Sequence, residues 1–292
     1  MNVILRVSQS LIGPSGSLGP LGDGWIPLES YFPGIRDYFP VLKTQGLWRQ
    51  KGRPFLKSYR RLAKEKGAVN AMALPWPSLT YFLKYRLPRV KRRCILSLHA
   101  KDAEEMAEIV AIILKDKARY PEKYKLIQAV EINLSCPNVQ ACIDILGILE
   151  AASLLPWAII AKIGQHQVEE VLEAVRLGWA QGVTAINTIP WGQVFDTPSP
   201  LRHLGVNGAV SGKPIFLQAL HTVYHLAYVR EKEGLSFLIF GGGGIMDSAS
   251  AGKMLDAGAD RLVVGTLLTQ DPIGAIKLAL WWKKQIIRSL VA

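Results

Sequence analysis

Phe237-Leu238-Ile239-Phe240-Gly241-Gly242-Gly243-Gly244-Ile245 and, about twenty residues on, Arg261-Leu262-Val263-Val264-Gly265-Thr266-Leu267 decide the fold class of this chain. Each is an apolar run of strand length that ends in glycine and passes into a helical pattern. Glycines at such ends let backbone N–H groups close on a phosphate, helped by the helix dipole. An open dinucleotide-binding sheet carries its G-x-G-x-x-G turn after the first strand, whereas these glycines come late and lack that spacing. A closed (β/α)8 barrel places phosphate-binding glycines after its seventh and eighth strands. Four further strand candidates lie upstream, at Cys94–Leu98, Ala129–Leu134, Trp157–Ile163 and Val183–Ile189, and short runs near Leu11 and Pro40 bring the number to eight.

Helical patterns fill the intervals, at about Ala103–Ala118, Ile143–Leu154, Pro214–Arg230, Asp247–Ala257 and Pro272–Ser289. Between the third and fourth of the later strands, Val168, Val171, Leu172, Val175 and Trp179 form one apolar helical stripe. Strand-helix units repeated without a break in composition call for a parallel sheet covered by helices. The expected fold is therefore α/β, a (β/α)8 TIM barrel forming one domain over residues 1–292, with an elaborated loop between strands 2 and 3.

The chain has 292 residues, 49% of them hydrophobic and 20% charged, with a mean hydropathy of +0.17. It can bury a large core, and disordered and fibrous classes are excluded. Cys94, Cys136 and Cys142 are too few for a disulfide framework and form no paired Cys-x-x-Cys motifs for zinc, so no metal site is expected and a reducing cytoplasm fits. No basic, apolar and small-residue succession marks a signal peptide. The longest candidate span, Ile143 to Ala161, contains Asp144, Gly147, Glu150 and Pro156, so a soluble protein is expected.

The net charge of +12 is local. Residues Lys43 to Arg93 hold fifteen basic side chains and one acid, Glu65, while the rest of the chain sums to about neutrality. With Trp48, Tyr59, Trp76, Tyr81, Phe82 and Tyr85 interleaved, this segment suits nucleic acid, an anionic membrane or an acidic protein, or serves as a solvated loop beside an anion-binding site.

The strongest chemical signal is Val130-Glu131-Ile132-Asn133-Leu134-Ser135-Cys136-Pro137-Asn138. A strand ends there in polar residues at the catalytic face of a barrel, with a thiol between two asparagines. A thiol with a pKa near 8.5 serves as a general base in an electropositive setting. Cys94 and Cys142 read as small buried hydrophobes. Polar residues at other strand ends, Lys43-Thr44, Asn70, Lys162 and Asn187-Thr188, converge with it, and their amides suit a planar heterocycle with alternating carbonyl and N–H groups.

These pieces resemble the dihydroorotate dehydrogenase family, in particular its soluble, cysteine-using class 1. The family's Asn-Leu-Ser-Cys-Pro-Asn string stands unbroken at Asn133–Asn138. In the family's order follow or precede it Pro14-Ser15-Gly16, Lys43, Asn70-Ala71-Met72-Ala73-Leu74-Pro75, Lys162, Asn187-Thr188, Ser211-Gly212-Lys213-Pro214 and both glycine motifs. The resemblance implies an FMN enzyme of pyrimidine biosynthesis in which dihydroorotate loses its C5 proton to Cys136 and hydride from C6 to flavin N5. It implies substrate contacts from Lys43, Asn70, Asn133, Asn138, Asn187 and Thr188, and from the backbone of Met72, Ala73 and Leu74. It implies cofactor contacts from Ser15, Gly16, Lys43, Thr44, Asn133, Lys162, Gly212, Gly243, Gly244, Gly265 and Thr266. It further implies a homodimer and, where NAD⁺ is the acceptor, an electron-transfer partner subunit docked on the basic loop. With no N-terminal membrane-docking extension expected, fumarate or NAD⁺ precedes quinone as acceptor.

Three departures stand out. Ala73 replaces the family's glycine, Trp76 replaces an asparagine, and Gln140-Ala141-Cys142 replaces the glycine-bearing loop after the cysteine. Two rivals follow: a tRNA-dihydrouridine synthase-like flavin reductase, or a paralogue acting on another pyrimidine or serving as a flavin-binding scaffold. The chain runs out after the eighth barrel unit, without the rival's RNA-binding domain, and Asn187-Thr188-Ile189-Pro190-Trp191 differs from its His-Gly-Arg-Thr run, so nucleic acid is not the expected partner. Retention of Cys136, Lys43 and the glycine pairs favours catalysis over a scaffold.

Overall fold

The computed structural model describes residues 11–14, 37–73, 75–136 and 144–291. In chain order the strands are β1 (Ile12–Gly13), β2 (Phe39–Pro40), β3 (Tyr59–Leu62), β4 (Gly67–Asn70), β5 (Cys94–Leu98), β6 (Ile127–Asn133), β7 (Ala158–Ile163), β8 (Gly182–Ala185), β9 (Ile189–Pro190), β10 (Ala209–Gly212), β11 (Leu238–Gly242) and β12 (Arg261–Val263). Eight of them pair in the order β2-β1-β12-β11-β8-β7-β6-β5, and every pairing is parallel. A parallel bridge between Val41 and Ile95 closes the ring, with the Leu42 N–H donating to the Ile95 carbonyl at 2.9 Å. The helices around it are α1 (Ala103–Arg119), α2 (Ile145–Ser153), α3 (Val168–Arg176), α4 (Phe216–Glu233), α5 (Ser248–Asp256), α6 (Thr266–Gln270) and α7 (Pro272–Val291). This is the expected (β/α)8 barrel.

Side chains on a strand point alternately to its two faces, and here that alternation builds two cores. Ile12, Phe39, Ile95, Ala129, Ile160, Phe240 and Val263 face inward and fill the barrel. Their neighbours Leu96, Val130, Ala161, Val183 and Leu262 face outward and pack under the helices. Gly182 makes room for Phe240, since a Cβ there would lie 2.8 Å from the Phe240 ring. Aspartates start four helices by accepting backbone N–H bonds: Asp102 from Glu105, Asp144 from Gly147, Asp247 from Ser250 and Asp271 from Gly274.

Two elements differ from the sequence reading. The run Val183–Ile189 is split: β8 ends at Ala185, and Ile189 begins β9 in another sheet. Its continuous apolar pattern conceals a change of direction. The apolar stripe ending at Trp179 also outruns its helix, because α3 stops at Arg176 and Gly178 turns the chain at φ +77°.

The segment expected as an elaborated loop contains structure of its own. β3 and β4 form an antiparallel hairpin that joins β10 and β9 in a four-stranded sheet of order β3-β4-β10-β9. Excursions from two distant barrel loops thus pair at one place, with Asn70 opposite Ala209 and Gly67 opposite Gly212.

The barrel-filling layer predicts a measurable dependence. Phe240→Ala will cost about 3–5 kcal/mol of unfolding free energy, because Gly182 cannot fill the void. Denaturant titration of the variant checks this; a loss under about 1 kcal/mol contradicts the packing described.

Candidate active site

The inward parity continues past the apolar layer and turns polar. Two residues above Ile95, Ala129 and Ile160 stand Ser97, Glu131 and Lys162, followed by His99 and Asn133; all are at most 8% exposed. The alternation that builds the lower core therefore delivers a polar layer at the C-terminal ends of the strands, where barrel chemistry sits.

Asn133 ends β6 and Asn187 follows β8, and the two meet: Asn187 Nδ2 donates to Asn133 Oδ1 at 3.0 Å. Asn133 Nδ2 donates to Thr44 Oγ1 at 3.4 Å, and the Thr188 N–H donates to Asn187 Oδ1 at 2.9 Å. The backbone of this corner is held from below. Leu134 N–H donates to the Lys162 carbonyl, and Asn187 N–H to that of Ile163. The Gln167 amide donates to the Leu134 carbonyl at 3.1 Å.

Cys136, three residues past Asn133, is half-buried and is not in a disulfide. Lys43, just after β2, lies within electrostatic reach of both Cys136 and Lys162. Burial pulls the Lys43 ammonium down to about 8; a thiolate at Cys136 works against that pull and Lys162 adds to it. Lys162 is buried, and no carboxylate among the described residues lies within 4 Å of its ammonium.

An open cleft is lined by Lys162, Asn187, Thr188, Gly212, Gly243, Gly244, Gly265 and Thr266, with Thr184 and Ser211. Its glycines are obligatory. Gly212 and Gly244 hold φ values of +88° and +87°, and a Cβ on Gly244 would stand 2.7 Å from Phe216 Cβ and 2.9 Å from the Gly212 carbonyl. Thr266, the first residue of α6, donates to Ser211 Oγ at 2.9 Å. The four-glycine run leads to α5, but Asp247 already caps that helix. An anion in this cleft would meet the glycine backbone and the Gly265-Thr266 turn rather than two uncapped helix N-termini. Close-packed glycine backbone at one end and an unneutralised buried cation at the other fit a phosphate-bearing ligand with an anionic planar ring.

Lys43, Asn70 and Cys136 do not line this cleft. Asn70 ends β4. After it Met72 accepts from the Arg53 N–H, and Ala73 takes φ +57°, a conformation suited to the glycine it replaces. Trp76 is buried, donates through Nε1 to the Trp48 carbonyl at 2.6 Å and stacks obliquely on His99 with centroids 5.7 Å apart. Ser15, Gly16, Leu74 and Asn138, and the shortened loop with Cys142, lie outside the described residues. Cys94 is a buried hydrophobe as expected, its thiol pushed up to about 12 by burial. Ser97, His99, Glu131 and Thr184 were not singled out from sequence. Their signal is parity: each is a polar residue on the inward register of an apolar strand.

A parallel eight-stranded barrel with close-packed glycine backbone after its last two strands and a thiol within reach of Lys43 is the architecture of a flavin-dependent barrel oxidoreductase. The chain belongs to the dihydroorotate dehydrogenase family, whose model matches residues 39–279. It is 25% identical over 267 residues to the catalytic subunit of dihydroorotate dehydrogenase B (NAD⁺) of Desulforamulus reducens, covering 85% of this chain and 81% of that one. It is 28% identical over 214 residues to dihydroorotate dehydrogenase A (fumarate) of Lacticaseibacillus paracasei, covering 68% and 69%. In fold it is similar to the dihydroorotate dehydrogenase of Eimeria tenella solved with ferulenol, at a TM-score of 0.68 and 19% identity over 96% of this chain and 81% of that one.

The lowered Lys43 ammonium sets a pH limit. It is charged below about 8 and neutral above, so an anionic ring ligand that it holds will bind progressively more weakly as pH rises through that value. Orotate titrations from pH 6.5 to 9.5 check this, with Lys43→Arg expected to remove the alkaline limb.

Proposed function

We propose that this protein catalyses the FMN-dependent oxidation of dihydroorotate to orotate. The observation that carries it is that Lys43 lies within electrostatic reach of both Cys136 and Lys162, while Lys162 shares its cleft with Asn187, which is hydrogen-bonded to Asn133. Cys136 Sγ takes the C5 proton, with the Lys43 ammonium within electrostatic reach of it. FMN, when bound, supplies the acceptor for hydride leaving C6. Lys162 offers positive charge to the N1/O2 side of that ring, and the Gly243-Gly244 and Gly265-Thr266 backbone would hold its phosphate, with Ser15, Gly16, Thr44 and Gly212 alongside. Asn70, Asn133, Asn138, Asn187 and Thr188 hold the pyrimidine through the donors and acceptors of their side chains, and the backbone of Met72, Ala73 and Leu74 assists. Lys43 meets the substrate carboxylate.

Among the described residues no helix is long and apolar enough to cross a membrane. Cys94 and Cys136, neither of them in a disulfide, support placement in a reducing cytoplasm.

For the second half of the reaction we propose an electron-accepting partner with an acidic face, as the name "catalytic subunit" of the Desulforamulus relative suggests. Lys57, Arg60, Arg61 and Lys64 on and beside the β3–β4 hairpin are exposed, and none is paired with a carboxylate among the described residues.

The visible spectrum before and after anaerobic addition of dihydroorotate tests the function: a flavin spectrum that bleaches supports it, and one that stays oxidised rejects it. Cys136→Ser will keep FMN and slow bleaching at neutral pH by about 10²-fold or more. Lys162→Ala will both slow bleaching and weaken FMN retention. Arg60→Glu with Arg61→Glu will leave bleaching unchanged but slow reoxidation by anionic ferricyanide and reduce its salt dependence.

A further inference from the structure

Residues 50–58 run beside the segment that carries Ala71, Met72 and Ala73 and are bonded to it at both ends. Gln50 and Trp76 exchange backbone bonds at 3.1 and 3.3 Å, and the Ala71 N–H donates to the Ser58 carbonyl at 2.8 Å. Between these ends Arg53 takes two successive carbonyls. Its Nη1 donates to the Ala71 carbonyl at 3.1 Å, and its backbone N–H donates to the Met72 carbonyl at 2.9 Å. Gly52 permits that approach, because a Cβ there would run into the Met72 oxygen and stand 2.6 Å from Pro75 Cβ.

A trans peptide carries its carbonyl and its N–H on opposite sides, so a bond on one fixes the direction of the other. With the Ala71 and Met72 carbonyls turned to Arg53, the N–H groups of Met72 and Ala73 point away from it, and no described residue accepts from either. This is not the orientation that an alanine prefers. It holds Ala73 at φ +57°, where the Cβ crowds the backbone, and turning over the Met72–Ala73 peptide would relieve the crowding. Such a conformation persists only where its surroundings impose it. Here the Arg53 N–H opposes the turnover directly, by holding the Met72 oxygen. The guanidinium opposes it by tying Arg53 to Ala71, which is fully buried and whose carbonyl has no other donor among the described residues.

We propose that Gly52 and Arg53 are positioning residues, a clamp that holds the Met72–Ala73 peptide against the preference of Ala73 and so presents the Ala73 N–H to the substrate. The substrate's identity rests on the pyrimidine reading above; the fixing of the peptide does not.

The test uses holoenzyme labelled with ¹³C-carbonyl methionine and ¹⁵N-alanine. Ala73 and Ala107 are the only alanines that follow a methionine, so a carbonyl-filtered amide spectrum holds two signals, and the one lost in Ala73→Gly belongs to Ala73. Orotate will shift the Ala73 signal and leave Ala107 in place. Gly52→Ala and, independently, Arg53→Met will move the resting Ala73 signal, retain FMN and weaken orotate binding by at least about fivefold. Adding Ala73→Gly to Arg53→Met will bring the affinity back to within about twofold of wild type, because glycine adopts the clamped conformation without the steric cost. Wild-type affinity in both Gly52→Ala and Arg53→Met overturns the proposal, as does an Ala73 signal that stays still while orotate binds. A loss in Arg53→Met that Ala73→Gly leaves in place, or a fall in Tm with the Ala73 signal and affinity unmoved, assigns Arg53 a purely structural part and overturns it too. A wild-type protein that fails to bind orotate, while its Ala73 signal still moves in both variants, rejects the pyrimidine reading and upholds the clamp.

Discussion

Alternation of side chains across the barrel wall is the constraint on which everything else in this protein depends. Because neighbours on a strand face opposite ways, Ile95 and Leu96, or Ala129 and Val130, enter different cores. A one-residue slip would exchange them. The same register that sends Ile160 into the barrel sends Lys162 into the site above it. Stability and chemistry are thus two heights on one set of strands: the lower layer excludes water around Phe240, and the upper one can keep charged groups in a medium that water does not screen fully. The displacement of the Lys43 ammonium is a consequence of that height.

The second sheet turns a barrel mouth into a walled site. β4 and β10 come from excursions more than a hundred residues apart, yet their antiparallel register places Gly67 against Gly212. A side chain at Gly212 would collide with the Gly67 backbone, so the pairing and the cleft glycine require each other. Gln270 ties this sheet to the barrel by donating to the Gly67 carbonyl at 2.7 Å. The glycine end of the site is built by close backbone contact, while the thiol end is built by buried charge. Family membership accords with that division, since a flavin needs an anchored phosphate and an electrically tuned ring edge.

Much of the architecture was legible in the chain. Six barrel strands stand where apolar runs predicted them, because a buried parallel strand needs a continuous apolar run, and the two shortest were placed near Leu11 and Pro40. The glycine motifs were legible too, since few residues other than glycine tolerate the φ values found at Gly212, Gly243 and Gly244. Val183–Ile189 misled because an apolar run records burial but not direction. The β3–β4 hairpin was hidden by its charge: Arg60 and Arg61 face solvent on an edge strand, where period-two hydrophobicity is weak and basic side chains discourage further pairing.

Sequence alone determined the barrel, the late glycine cradle and the candidate residues from Lys43 to Thr266, because local periodicity and backbone tolerance are properties of short segments. Only the tertiary structure decided that Glu131 and Ser97 lie under Asn133, and that Lys43, Cys136 and Lys162 share one field. It also decided that Asp247 uses up the dipole of α5. Those relations join residues that are dozens of positions apart and meet only when the ring closes, and no short-range pattern encodes which inward-facing side chains will stand side by side.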